Sequence, residues 1–444
     1  MEIERTITSR LLAWKTSTAR KPIILQGARQ TGKTWVLKKL GRDHFDDVAY
    51  FNFEKQPELR QFFEVTKDPR RIIENLTLLH GRPVTEGRCL IIFDEIQECN
   101  AALNSLKYFC EEAPGYCIAC AGSLLGVTLS RGESFPVGKV DLLHMYPLTF
   151  SEFLSEASPE LWNYLNSIKA VEPIPAIFFS QLSDKLKSYF LTGGMPEAAV
   201  SLIKDHDIGQ TQTILENILN AYRLDFSKHV DARSIPRINH IYTALPSQLA
   251  RENRKFLYQV VKPGARAREY EDSLLWLINA GLVYRVWCIT KPAIPLSAYT
   301  DLGAFKIYLS DVGLLRRLSQ LDPVAIREGN RLFTEFRGAL TENYILTSLI
   351  TQFDGIPYYW KSGNKAEVDF VFQHQNKIVP AEVKSDENVR SKSLAWYRKE
   401  FNPPLTIRYS MKNLSYTDGL LSIPLFMADQ TSGLIALAGR PEGQ

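Results

Sequence analysis

Long apolar runs are missing from this chain of 444 residues: none reaches the ~20 residues that a membrane-spanning helix needs. The first twenty residues mix charged and apolar side chains and hold no signal-peptide core. No membrane partner is expected, and the cytoplasm is the expected compartment. Cysteine is sparse: six residues in so long a chain do not make a disulfide framework. Cys89, Cys110, Cys117 and Cys120 fall in or near apolar segments and read as buried thiols. Cys117 and Cys120 have zinc or redox spacing, but they sit in a strand-like run and lack a second ligand pair. Excess charge is small: 53 Lys and Arg against 49 Asp and Glu give +4. Nucleic-acid binding would therefore need a local patch rather than global charge. Low-complexity segments and internal repeats are also missing. What is present is a globular composition, 45% apolar, in a chain too long for one core, so two to four domains are expected.

The most informative stretch is Gly27-Ala28-Arg29-Gln30-Thr31-Gly32-Lys33-Thr34. It follows an apolar run, Pro22 to Leu25, and opens a helical pattern, Trp35 to Leu40. Strand, glycine loop, helix is the context of a phosphate-binding P-loop. Gly27 and Gly32 permit the sharp turn that aims backbone N–H groups at phosphates. The helix start adds partial positive charge. Lys33 is expected to reach the β- and γ-phosphates of ATP, and the Thr34 hydroxyl to ligate Mg²⁺.

A partner motif lies downstream at Leu90-Ile91-Ile92-Phe93-Asp94-Glu95. Four apolar residues in a row suggest a strand buried on both faces of a parallel sheet. Acids at its C-terminal end stand where open α/β sheets bind ligands. Asp94 is expected to hold the Mg²⁺ shell and Glu95 to take a proton from attacking water. Strands are predicted at 22–26, 48–53, 89–94, 116–121 and 140–146, with helices such as Asn100 to Glu112 between them, a three-layer α/β arrangement. The strand at 48–53 lies between the glycine loop and the acid strand, an insertion that suits an NTPase with a catalytic glutamate. The fourth strand ends in Ala121-Gly122-Ser123, which places Ser123 as a polar sensor near the γ-phosphate.

Residues 150–230 read as helical, broken at Thr192-Gly193-Gly194-Met195-Pro196-Glu197. Helical pieces after 235 lead to alternating strands at 281–287 and 305–309, which together resemble a winged helix. Six basic residues, Arg251, Arg254, Lys255, Lys262, Arg266 and Arg268, could neutralise the phosphates of DNA. A solvated surface explains them nearly as well.

A second acidic constellation follows 330. A helix is predicted from Arg337 onward, carrying Glu342. Strands are predicted at Glu367 to Phe372, carrying Asp369, and at Lys377 to Lys384. Glu382 and Lys384, two apart, share one strand face. Asp369 and Glu382 could share a divalent ion with Glu342 beside them, and Lys384 could activate a water against a phosphodiester. This pattern resembles the restriction-endonuclease-like superfamily, although Val368 stands where its proline is usual. The same set could equally serve DNA binding or structure.

Taken whole, the chain resembles a prokaryotic AAA-type ATPase family that joins a P-loop domain to a C-terminal domain of unknown function with a nuclease-like core. The resemblance rests on Gly27 to Thr34, Asp94-Glu95, Ala121-Gly122-Ser123, Tyr146 to Phe153, Gly193 to Glu197, Tyr308 to Leu314, Glu367-Val368-Asp369 and Glu382-Val383-Lys384. It implies an AAA-type core over 1–155, a helical lid over 156–232, a winged-helix-like domain over 233–325 and a restriction-endonuclease-like domain over 326–444. It further implies that Gly194 and Pro196 belong to a lid element that approaches the nucleotide base. Such ATPases often carry an arginine after the sensor strand that reaches a neighbour's nucleotide. This chain has Lys139 after Gly138 there, and Arg131 is the alternative. The expected cofactors are ATP and Mg²⁺, and DNA is the expected partner. A protein partner and a homo-oligomer stay open beside it.

Overall fold

The structure, a computed structural model, describes residues 2–123, 135–251, 255–328, 334–363, 365–385 and 392–439. The chain divides into two compact units. One comprises Glu4–Tyr146 with Asn279–Leu282; the other comprises Pro147–Ile278 and Val283–Gln444 with Met1–Ile3.

The first unit is built on five strands: β1 (Ile23–Gln26), β2 (Asp47–Asn52), β3 (Cys89–Asp94), β4 (Cys117–Gly122) and β5 (Asp141–His144). Their order is β2-β3-β4-β1-β5 and every pairing is parallel. The strand between the glycine-loop strand and the acid strand is thus β4, while the strand expected at 48–53 is the outer edge, β2. Side chains alternate across the sheet. Leu90 and Ile92 of β3 pack with Val36, Leu37 and Leu40 of helix Lys33–His44. Ile91 and Phe93 pack with Phe53, Phe63, Leu103 and Phe109 on the opposite face. Both faces are covered, which is why β3 reads as an unbroken apolar run. Each such side chain contributes about 1.5–3 kcal/mol of burial. The tetrapeptide Asn279–Leu282 joins this unit from far along the chain: Gly281 has φ +72°, and a Cβ there would lie 3.3 Å from the Ala28 nitrogen.

The second unit opens with helices Phe150–Ala157, Pro159–Ser167, Ala176–Thr192, Pro196–Asp205, Ile208–His229 and Ile235–Leu249. Thr149 and Glu152 form a reciprocal capping box that starts the first of them. An eight-stranded mixed sheet follows: β6 (Val283–Ile289), β7 (Thr300–Leu309), β8 (Tyr358–Ser362), β9 (Ala366–His374), β10 (Lys377–Val383), β11 (Thr406–Ser410), β12 (Ser415–Thr417) and β13 (Leu420–Pro424), in the order β12-β13-β11-β10-β9-β8-β6-β7. The hairpin expected to be the wing of a separate middle domain, β6–β7, therefore extends the C-terminal sheet. Two features hold it there: parallel pairing of Cys288 and Ile289 with Tyr359 and Trp360, and a 2.6 Å ion pair from buried Lys306 on β7 to Glu367 on β9.

Two glycine-bearing motifs of the sequence meet within this unit. The Gly194 amide donates to Asp311 at 2.6 Å, and the Gly194 carbonyl accepts from the Leu148 amide at 2.7 Å. The other Asp311 oxygen accepts the Leu314 amide at 2.8 Å, capping helix Val312–Leu318. Arg316, fully buried, donates to the Leu191 and Leu321 carbonyls and to Gln212, each at 3.0 Å. Burial pushes the Asp311 carboxyl up to about 6, against hydrogen bonds from the Gly194, Leu314 and Gly313 amides and the charge of Arg316. The folded chain thus holds this proton more tightly than the unfolded chain, whose value is 3.8. The stability so contributed is complete below the unfolded value and is lost as pH rises through about 6. Between pH of about 5 and about 7.5, the wild type should lose about 1 kcal/mol relative to the permanently neutral Asp311→Asn variant. Urea unfolding of both proteins at the two pH values checks this; parallel pH profiles would show that Asp311 titrates as an ordinary carboxylate.

Candidate active site

The glycine loop takes the backbone shape its sequence permits. Gly27 (φ +150°), Gln30 (φ +64°) and Gly32 (φ +93°) lie in the left-handed half of conformational space. At Gly27 a Cβ would collide with the Met145 carbonyl oxygen, so only glycine fits. Gly32 is the N-cap of helix Lys33–His44, which places the free amides of the first turn at the loop. Buried Arg5 fastens the loop from behind, donating to the Thr31 carbonyl at 2.8 Å and the Tyr146 carbonyl at 2.7 Å. The Thr31 hydroxyl donates to the Ala28 carbonyl at 2.9 Å.

Lys33 is 7% exposed, and its ammonium donates to the Gly27 and Ala28 carbonyls at 2.9 and 2.7 Å. Burial lowers its pKa to about 8, with Glu95 and Asp94 pulling upward and Arg29 adding to the depression. His144, at the end of β5, is lowered to about 4, chiefly by burial and secondarily by the charge of Lys33.

Asp94 ends β3 opposite Asn52 in the β2 register. One carboxylate oxygen accepts from the Thr34 hydroxyl at 2.9 Å; the other accepts from the Tyr50 hydroxyl at 2.6 Å and the Asn52 amide at 3.1 Å. Tyr50 is pushed up to about 12, first by burial and then by its hydrogen bond to Asp94, so it stays a donor. Thr34 and Asp94 bring a hydroxyl and a carboxylate together, hard oxygen donors of the kind that suit Mg²⁺.

Glu95 is a non-glycine residue at φ +52°, a conformation that costs on the order of 1 kcal/mol and is common at functional sites. Its carboxylate accepts from Gln97 Nε2 at 2.6 Å and from the Ser123 hydroxyl at 3.1 Å. The Ser123 oxygen in turn accepts from Arg29 Nε at 3.3 Å. The fold therefore gathers Arg29, Lys33, Thr34, Asp94, Glu95 and Ser123 at the C-terminal ends of β1, β3 and β4. Sequence reasoning missed Arg5, Tyr50, Asn52, Gln97 and His144. Tyr50 and Asn52 were open to detection, being two apart on a strand and so on one face; Arg5, Gln97 and His144 carry no comparable pattern.

Arg131 lies outside the described residues. Lys139 is paired with Glu111 at 2.8 Å. Gly194 and Pro196 belong to the second unit, where Gly194 spends both backbone groups on Asp311 and Leu148, and Pro196 starts helix Pro196–Asp205. Glu342 lies on helix Thr334–Ile350, where it is buried and accepts from the Tyr308 hydroxyl at 3.0 Å. Asp369 accepts the Val383 amide at 2.8 Å, and Lys384 pairs with Glu382 at 3.1 Å. Among the described residues, no three His, Cys, Asp or Glu side chains stand together as a metal-holding group. Of the basic run, Arg251, Lys262, Arg266 and Arg268 are exposed and Lys255 is half-buried, while Arg254 lies outside the described residues. No described helix is long and apolar enough to cross a membrane.

Three family models match successive parts of the chain: "AAA domain" over residues 19–154, and two domains of unknown function, DUF8612 over 183–325 and DUF4143 over 337–426. No curated protein matches. Among solved structures, a Walker-type ATPase of Pyrococcus abyssi aligns at 13% identity over 72% of this chain and 96% of its own, with a TM-score of 0.45. The Orc1 protein of Aeropyrum pernix in complex with DNA aligns at 15% identity over 73% and 94%, with a TM-score of 0.27. The RuvB protein of Thermotoga maritima aligns at 14% over 64% and 88%, with a TM-score of 0.29. The parallel sheet, the glycine loop and the matched family model agree that residues 19–154 form an AAA-type P-loop ATPase domain.

Proposed function

We propose that the protein binds and hydrolyses ATP in its first unit and associates with DNA. The observation that carries the hydrolytic reading is the convergence of Lys33, Thr34, Asp94, Glu95 and Ser123 on one end of the parallel sheet. The loop amides and Lys33 would hold the phosphates. Thr34 and Asp94 would hold Mg²⁺, which supplies charge neutralisation on the phosphate oxygens when bound. Glu95 would accept a proton as water attacks the γ-phosphorus and the bond to the β-phosphate oxygen breaks. Ser123 orients Glu95 through its hydroxyl. The exposed cations Arg251, Lys262, Arg266 and Arg268 support DNA association, because they are solvated charges able to displace counterions from phosphates.

A second reading is a nucleotide-dependent switch that binds a protein partner through a non-cleaving C-terminal domain. It is favoured by the hydrogen bonds that Glu342 and Asp369 accept from the Tyr308 hydroxyl and the Val383 amide, which give both carboxylates a structural role. In this second reading the C-terminal domain is a docking element that does not cut DNA.

ATP turnover in Mg²⁺, with and without single- and double-stranded DNA, tests these readings, with strand integrity followed in the same tubes. We expect turnover that rises with DNA, intact strands, and unchanged turnover in Lys384→Ala. Neither turnover nor ATP binding would sink the ATPase reading. DNA that alters neither turnover nor protein mobility would remove DNA association, and pull-downs in ATP and ADP would then test the switch. Strand cleavage abolished by Lys384→Ala would restore a nuclease.

A further inference from the structure

Hydrolysis of the γ-phosphate is accelerated when a guanidinium meets the charge that builds on it. The residue after Gly138 is Lys139, which is held by Glu111 at 2.8 Å and lacks a planar fork. Another arginine stands inside the first unit. Arg29, half-buried in the glycine loop, reaches the Ser123 hydroxyl with Nε at 3.3 Å, and that hydroxyl lies 3.1 Å from the Glu95 carboxylate. The charge of Arg29 is felt at Lys33 as well, where it lowers the ammonium pKa. Sensor hydroxyl, general base and phosphate lysine are the three groups that would surround a γ-phosphate; Arg29 bonds to the first and reaches the second through it.

We infer that Arg29 is the arginine of this active site, supplied in cis from the glycine loop to the γ-phosphate. The inference rests on the ATPase reading above. Its consequence is that one chain holds a complete set of catalytic groups: phosphate lysine, acid pair, sensor hydroxyl and guanidinium. Arg29 Nε donates to Ser123, and the terminal nitrogens of the same guanidinium would meet the γ-phosphate oxygens while Ser123 keeps Glu95 in place.

The test uses the full chain and reads both turnover and binding. Arg29→Ala should lower ATP turnover by about 10³-fold. It should weaken the complex with Mg²⁺, ADP and aluminium fluoride, which mimics the transferring phosphoryl group, by about 10²-fold or more, while ADP affinity changes by less than about threefold. Arg29→Lys should recover little, because a point charge does not replace the fork. Wild-type turnover per chain should not depend on protein concentration. Retained ADP binding shows that the variants are folded. A wild type that binds the aluminium fluoride complex tightly, matched by an Arg29→Ala variant that binds it equally well, overturns the inference alone. A wild type that binds neither ADP nor the analogue strikes the ATPase reading itself. Turnover per chain that climbs with concentration would place the arginine on a neighbouring copy and also overturn the inference.

Discussion

Glu95→Gln should leave ATP bound and slow its hydrolysis by about 10³-fold, the usual size of a general-base contribution. Glutamine keeps the shape and can still accept from Gln97 and Ser123 through its carbonyl oxygen, as the carboxylate does at 2.6 and 3.1 Å. What it cannot do is take a proton. The loop, Lys33 and the Thr34–Asp94 pair are untouched, so binding should persist. Single-turnover hydrolysis alongside equilibrium ATP binding separates the two effects. Wild-type turnover in the variant would exclude Glu95 as the base. Lost binding would mean that the left-handed backbone at Glu95, φ +52°, depends on the carboxylate charge.

Gly313→Ala should destabilise the second unit by about 3 kcal/mol, near the upper end for overpacking. A Cβ at Gly313 would fall within contact distance of the Gly193 nitrogen and the Thr192 carbonyl, both backbone atoms that cannot swing aside. The collision pries apart the segments that Asp311 joins. Gly193→Ala should behave alike, since its Cβ would strike the Asp311 carboxylate and its φ is +60°. Thermal or urea unfolding measures the loss. A melting curve equal to that of the wild type would show that the junction between these motifs is loose.

The first unit was readable because its signals are local. A glycine loop between an apolar run and a helix, and an apolar run that ends in two acids, each name their element and position it. Strands predicted at 22–26, 89–94 and 116–121 appear at Ile23–Gln26, Cys89–Asp94 and Cys117–Gly122, and the helix Asn100–Glu112 has the predicted bounds. The sheet order was less readable. Which strand lies beside β1 is decided by long-range packing, and β4, later in the chain, takes the place between β1 and β3. The hairpin β6–β7 shows the same limit. Its alternation marked two strands but carried nothing about their neighbours, and pairing to β8 made them part of a larger sheet. The Gly193 and Tyr308 motifs stood out as unusual strings. Their physical reason, a carboxylate seated against two segments that must be glycine, involves residues 117 positions apart in sequence.

The tetrapeptide Asn279–Leu282 changes how the first unit can be made. Its Gly281 lies against the Ala28 end of the phosphate loop, and Ala280 and Leu282 are buried. On the ribosome, where N-terminal domains commonly fold as soon as they emerge, this unit cannot finish when Tyr146 appears. It must wait with Gly281 missing from beside Ala28 until Leu282 has left the exit tunnel. Newly made chains should therefore gain nucleotide affinity late, and a fragment that stops at Tyr146 should lack part of it however long it is given to fold.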